Sequence, residues 1–164
     1  MGQAMLQEVG IKVDFGIFEL DTKWVDDPRQ KEAAWALAVE LQTRVATQEI
    51  GLDGGTIREA LNSLYALFGI TREILRSNGP KVGMRRDTVG GMAITVLNKA
   101  IRPFLSKWHP ALTEWEYQKP ADRSPVEHEK AWKYSVPCRA ELLKMQQGLW
   151  EYSEALAKVG GASD

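Results

Sequence analysis

The chain holds one cysteine and two histidines among its 164 residues, and no apolar run long enough to span a membrane. Cys138 alone can form neither an internal disulfide nor a cysteine-rich zinc site, so a reducing, cytoplasmic setting is expected. With His109 and His128 as the sole imidazoles, a zinc or di-iron site would have to gather carboxylates from several helices, Glu114, Glu116, Glu127 and Glu129 being nearest in sequence. Also missing are a glycine-rich phosphate loop, a His-Glu-x-x-His run, paired Glu-x-x-His motifs, a nucleophile elbow and a recognisable Cys–His signature. No catalytic residue, metal or cofactor is therefore assigned, and an enzyme is the least supported reading. The segment Met1–Leu6 lacks the basic and apolar stretches of a signal peptide, and Leu6 stands where a myristoylation site has Ser or Thr. No membrane partner is expected.

What is present is ordinary globular material, 44% hydrophobic and 26% charged, with the tryptophan count raised to six. A chain of this length forms one domain and buries a core without covalent staples. The net charge of −1 hides an uneven layout. Residues 1–61 carry six basic and 11 acidic groups, residues 62–107 eight basic and two acidic, and residues 108–164 seven and nine. Such a basic centre is either neutralised by the acidic ends in the fold or turned toward an anion.

Residues 1–25 read as an extended arm. Ile11, Val13, Phe15 and Ile17 alternate with polar residues and glycine at the period of a half-buried strand, and a parity change near Gly16 predicts a bulge or kink. No later segment offers an equally clear partner strand, so the arm packs on helices, folds back as a small hairpin, or pairs with another chain. From 26 to 160 the pattern is helical. Asp27-Pro28 opens a first helix running to about Glu49, with Trp35 and Val39 widening its buried stripe. Thr56-Ile57-Arg58-Glu59 is a capping box that opens a second helix, stopped at Asn78-Gly79-Pro80. A third begins near Asp87, kinks or breaks near Arg102 because of Pro103, and meets a boundary at Pro110. Ser124-Pro125-Val126-Glu127 opens a fourth, in which Ala131, Ser135, Cys138, Leu142, Met145, Leu149, Tyr152, Leu156 and Val159 form a heptad seam. Pro137 should bend its first half. Residues 161–164 are a frayed terminus. The expected fold is mainly all-α, a four-helix bundle with an N-terminal extended or β arm.

Two groups of residues invite function. Arg102, Lys107, Trp108 and His109 lie in a stretch bounded by two prolines. Its cations can face an anion with Trp108 as a stacking wall, or its aromatics can simply end a core helix. Arg72 and Arg76, four apart on the second helix, join this site if the helix end lies beside the kink. Lys81, Arg85 and Arg86 would extend the patch. In the second group Trp115, Trp132, Tyr117 and Tyr134 stand among acidic residues, as interface anchors or as the rim of the core. Trp24, Trp35 and Trp150 read as packing residues.

The strings Ala34-Trp35-Ala36-Leu37, Thr43-Arg44-Val45-Ala46-Thr47-Gln48, Arg58-Glu59-Ala60-Leu61, Thr71-Arg72-Glu73-Ile74-Leu75-Arg76 and Arg102-Pro103-Phe104-Leu105 resemble an uncharacterised helical-bundle domain of actinobacterial-type proteins, loosely associated with bacterial conflict and phage-defence genes. The resemblance spans about residues 28–158. It implies an adaptor, sensor or assembly role and supplies no catalytic residue.

Two functions are therefore expected. The first is a non-enzymatic interaction module that self-associates or binds a partner protein, through Val13, Phe15 and Ile17 of the arm and Trp115 and Trp132 of the aromatic group. The alternative is a module for a phosphate-bearing ligand, a nucleotide or single-stranded nucleic acid, bound through Arg72, Arg76, Arg102, Lys107, Trp108 and His109.

Overall fold

Strand β1 (Glu8–Asp14) pairs antiparallel with β2 (Glu19–Val25), Val13 facing Leu20 and Ile11 facing Thr22. These observations come from a computed structural model that describes residues 8–44 and 55–162. The parity change is the turn of this hairpin, not a bulge. Phe15 N–H donates to the Phe18 carbonyl at 2.8 Å, leaving Gly16 and Ile17 as a two-residue loop. Gly16 takes φ 86° at the first central position, which a side chain would resist. One hairpin face is buried through Ile11, Val13, Leu20 and Trp24, and the other is polar. A pair of strands is marginal in water. This one is seated on helix α6 (Ser135–Val159), where Phe15 meets Tyr152 edge to face at 6.4 Å and a Cβ on Gly148 would collide with the Phe15 ring.

Beyond the hairpin the chain is helical, with α1 (Lys31–Gln42), α2 (Ile57–Asn78), α3 (Val89–Thr95), α4 (Arg102–Tyr117), short α5 (Pro125–Lys130) and α6. Mainly α with an N-terminal β element is therefore the fold. The local signals act as caps. Asp27 accepts from Arg29 N–H ahead of a 3-10 turn at Pro28–Gln30, Thr56 from Glu59 N–H, and Ser124 from Glu127 N–H. Gly79 at φ 77° closes α2. The first helix is shorter than expected, ending at Gln42, and the predicted continuation from Val45 to Glu49 lies outside the described residues.

Pro103 disturbs the helix where expected, next to Arg102, without breaking it. Instead of a break, a π-helical stretch (Val96–Ile101) joins α3 to α4, with Arg102 N–H reaching the Leu97 carbonyl five residues back. The wider turn accommodates the ring and the missing donor. Pro110 is no boundary, since α4 continues through it to Tyr117. The fourth helix is divided instead. The α5 helix stops at Lys130, a turn carries Ala131–Tyr134, and Pro137 sits in the first turn of α6, where it bends nothing. From Ser135 to Val159 every position of the heptad seam is buried, so the seam faces the chain's own core. Three packing expectations are corrected, because Trp35, Val39 and Trp150 stand 49%, 44% and 39% exposed.

Candidate functional site

Helices α2 and α4 run antiparallel, as the Arg58–Glu116 ion pair near one end and the packing of Arg102 on Phe68 further along require. Between them lies an open groove of about 600 Å³, within the usual range of ligand sites. Tyr65, Phe68, Gly69 and Arg72 line it from α2, and Arg102, Ser106 and His109 from α4. None of its lining residues is acidic.

The groove is organised by one ring. Phe68, itself buried, carries the Arg102 guanidinium carbon 4.8 Å and the Arg72 guanidinium carbon 5.8 Å from its centroid. Such contacts hold a guanidinium by its face while its N–H edge stays able to donate. Among the described residues no carboxylate pairs with either arginine, and the one polar contact is from Arg102 Nε to Asn98 Oδ1 at 3.4 Å. Two like charges are thus brought together with no counter-ion from the described residues, and His109 adds an exposed imidazole seven residues along α4 from Arg102. An arrangement of this kind can take a phosphate or carboxylate by charge-assisted hydrogen bonds.

The structure therefore divides the six predicted ligand residues. Arg72 and Arg102 meet on Phe68, and His109 lines the same groove two turns further along α4. Arg76 is exposed one turn further along α2, outside the groove lining. Lys107 and Trp108 point the other way, toward α6. The Glu141 carboxylate accepts from Lys107 Nζ at 2.6 Å and from Trp108 Nε1 at 2.7 Å. Burial works to raise the Glu141 carboxyl, but those two hydrogen bonds and the Lys107 charge outweigh it and hold the group below the usual carboxylate range. Trp108 is no stacking wall. It is buried, edge to face with Trp132 at 5.9 Å and with Tyr134 at 6.2 Å. The loop cations do not extend the patch either. Arg85 pairs with Asp87, the Arg86 carbonyl accepts from the Thr22 hydroxyl of the hairpin, and neither they nor Lys81 line the groove.

The tryptophans of the aromatic group are taken up by the fold, whereas Tyr117 stands 86% and Tyr134 42% exposed. His128 is buried and lies flat on Trp115, ring centroids 4.2 Å apart. Trp115 Nε1 donates to the His128 carbonyl, and His128 Nε2 lies 2.6 Å from the Trp115 carbonyl. Arg123 must be the donor at Nδ1, 3.3 Å away, which assigns the ring proton to Nε2. Glu129 is buried as well, and its carboxylate accepts from the backbone N–H groups of Ile57 and Arg58 and from Arg139 Nη2. It caps α2 from 72 residues away. Among the described residues no three His, Cys, Asp or Glu side chains gather into a metal-holding group. Cys138 is buried, and burial, then the charges of Glu141 and Glu129, push its thiol up to about 12.

Of the five predicted interface residues, Val13, Phe15 and Trp132 are buried in the chain's own core, Trp115 is half-buried under His128, and Ile17 alone is well exposed, at the hairpin tip. Sequence reasoning missed the role of Phe68 as the ring that organises the groove. A local signal for it exists, since Phe68 and Arg72 stand four apart on one helix and so share a face. It also missed Gln30, whose Oε1 accepts from Trp24 Nε1 and from Val89 N–H and so ties the hairpin to α3. No described helix is long and apolar enough to cross a membrane. The chain matches no family model, no curated protein and no solved structure.

Proposed function

We propose that the protein is a binding module for a phosphate-bearing ligand, taken in the groove between α2 and α4. The observation that carries this reading is the pair of guanidiniums from two different helices on one Phe68 ring, with no carboxylate between them. Two cations held together cost repulsion, and an anionic ligand relieves it. Calorimetric titration with inorganic pyrophosphate tests the proposal. Saturable, salt-sensitive binding is expected, weakened about tenfold or more by Arg72→Gln and by Arg102→Gln, the usual range for a lost charge-assisted hydrogen bond. Lys107→Gln, on the far face of α4, should leave it unchanged. Equal affinities for all four proteins would remove the groove from consideration.

The adaptor or assembly reading, with its link to bacterial defence, is the second proposal. Its support is narrower than the arm and the seam suggested, and rests on Trp35 and Val39, exposed one turn apart on α1. A defined dimer in light scattering that Trp35→Lys dissolves would bring it forward.

A further inference from the structure

We infer that the ligand of this groove is a free nucleotide, with its base stacked on Tyr65 beside Gly69 and its phosphate between Arg72 and Arg102. The inference rests on the phosphate-binding reading and adds the other half of the ligand.

Tyr65, Gly69, Arg72 and Arg76 fall on one stripe of α2 at intervals of four, three and four residues. Read along the helix, the stripe is an aromatic ring, a gap, and two cations. Tyr65 is 70% exposed, and its ring contact with Phe68 is a tilted one at 6.4 Å, so a face of the phenol is open to a planar group. Stacking on an open ring binds any base without reading its sequence.

Gly69 makes the gap. It lies inside a 22-residue helix, where glycine is less favourable than alanine, yet a Cβ there would meet nothing within 4 Å. Packing does not demand glycine at this position, and what the missing side chain leaves is clear floor between ring and cations. From Tyr65 to Arg72 the helix rises about 10 Å at 1.5 Å per residue. A bare phosphate fills only the cationic end of that span, whereas base, sugar and phosphate in series fill all of it.

The Tyr65 end of the groove favours a single nucleotide over a strand that runs on past the base. Beyond Tyr65 the seam between α2 and α4 is occupied by Arg58, whose charge is already met by Glu116 and the Thr113 hydroxyl and so is not offered to a second phosphate. A strand needs a basic track that continues past each base.

The full chain is titrated with ATP, pyrophosphate, adenosine and a ten-residue oligothymidylate. ATP is expected to bind about tenfold or more tighter than pyrophosphate. Tyr65→Ala should bring ATP down to the pyrophosphate level while leaving pyrophosphate itself unchanged. Gly69→Leu should do the same by filling the floor, with a melting temperature equal to or above that of the parent, which separates a blocked site from a damaged fold. If ATP and pyrophosphate bind alike and Tyr65→Ala changes neither, the nucleotide inference fails and phosphate binding stands. If neither binds, both fail. Oligothymidylate binding more than tenfold tighter than ATP with a steep salt dependence would overturn the free nucleotide in favour of a strand.

Discussion

The two faces of α4 are built from the same kinds of residue and do opposite things. On the α2 side, Arg102 and His109 join Arg72 around an open groove, and the two arginines have no carboxylate partner among the described residues. On the α6 side, Lys107 and Trp108 close onto Glu141, and further along Trp115 locks onto His128. Where every polar atom of a cluster has its partner inside the protein, the cluster belongs to the fold. Where cations share a ring and lack counter-ions, the stabilising partner is left to come from outside. Density of charge and aromatics in the sequence does not separate the two cases, and hydrogen-bond accounting does.

The comparison breaks most easily on the side assigned to the fold. Glu129→Ala removes the carboxylate that two backbone N–H groups at the start of α2 share, while Arg139 keeps the Gly55 carbonyl, so a loss of about 2–4 kcal/mol in unfolding free energy is expected from the unsatisfied donors. Urea denaturation measures it directly. A loss below about 1 kcal/mol would mean that the buried Glu129 carboxylate is not committed to the fold in the way its hydrogen bonds suggest.

A smaller effect sharpens the same contrast. Glu141 is held below the ordinary carboxylate range, so its interaction with Lys107 and Trp108 stabilises the fold at pH values above that range and is lost as pH falls through the folded-state value. Both charged side chains are about half exposed, 51% for Lys107 and 43% for Glu141, and solvent screening limits the contribution to at most about 1 kcal/mol. Comparing the parent with Glu141→Gln in urea should show a difference at neutral pH that shrinks as the solution is acidified through the carboxylate range. A constant difference would assign the stabilisation to packing rather than to charge.

How far the sequence carries this picture depends on how local each cause is. The caps at Asp27, Thr56 and Ser124 and the stop at Gly79 depend on neighbours within four residues, and each sits where the sequence places it. Strand β2 is hard to read because Thr22 stands between Leu20 and Trp24 and weakens the alternation. Pro110 does not break α4 because the carbonyl it leaves unpaired, that of Ser106, belongs to an exposed turn where water can serve it. The stretch from Arg102 to His109 reads as one site because it is dense in sequence. On a helix it is two, since Arg102, Ser106 and His109 recur at intervals of four and three while Lys107 and Trp108 fall on the opposite side. Glu129 and Gln30 bind groups 72 and 59 residues away, and no spacing rule reaches that far.

The smallest expected effect is the most demanding one. Replacing both groove arginines, Arg72→Gln with Arg102→Gln, removes two cation–π contacts worth about 0.5–1 kcal/mol each at exposed sites. It also removes the repulsion between two cations gathered over one ring, which acts in the other direction. The two terms oppose each other, and the unfolding free energy should change by less than about 0.5 kcal/mol, the range of a surface substitution free of special roles. Urea denaturation without ligand checks this, and pyrophosphate separates the outcomes further. The parent should gain stability as pyrophosphate is added and the double variant should not, because a ligand stabilises only the state that binds it. A large loss of stability without ligand would make the arginines structural, and the two faces of α4 would then differ in degree rather than in kind.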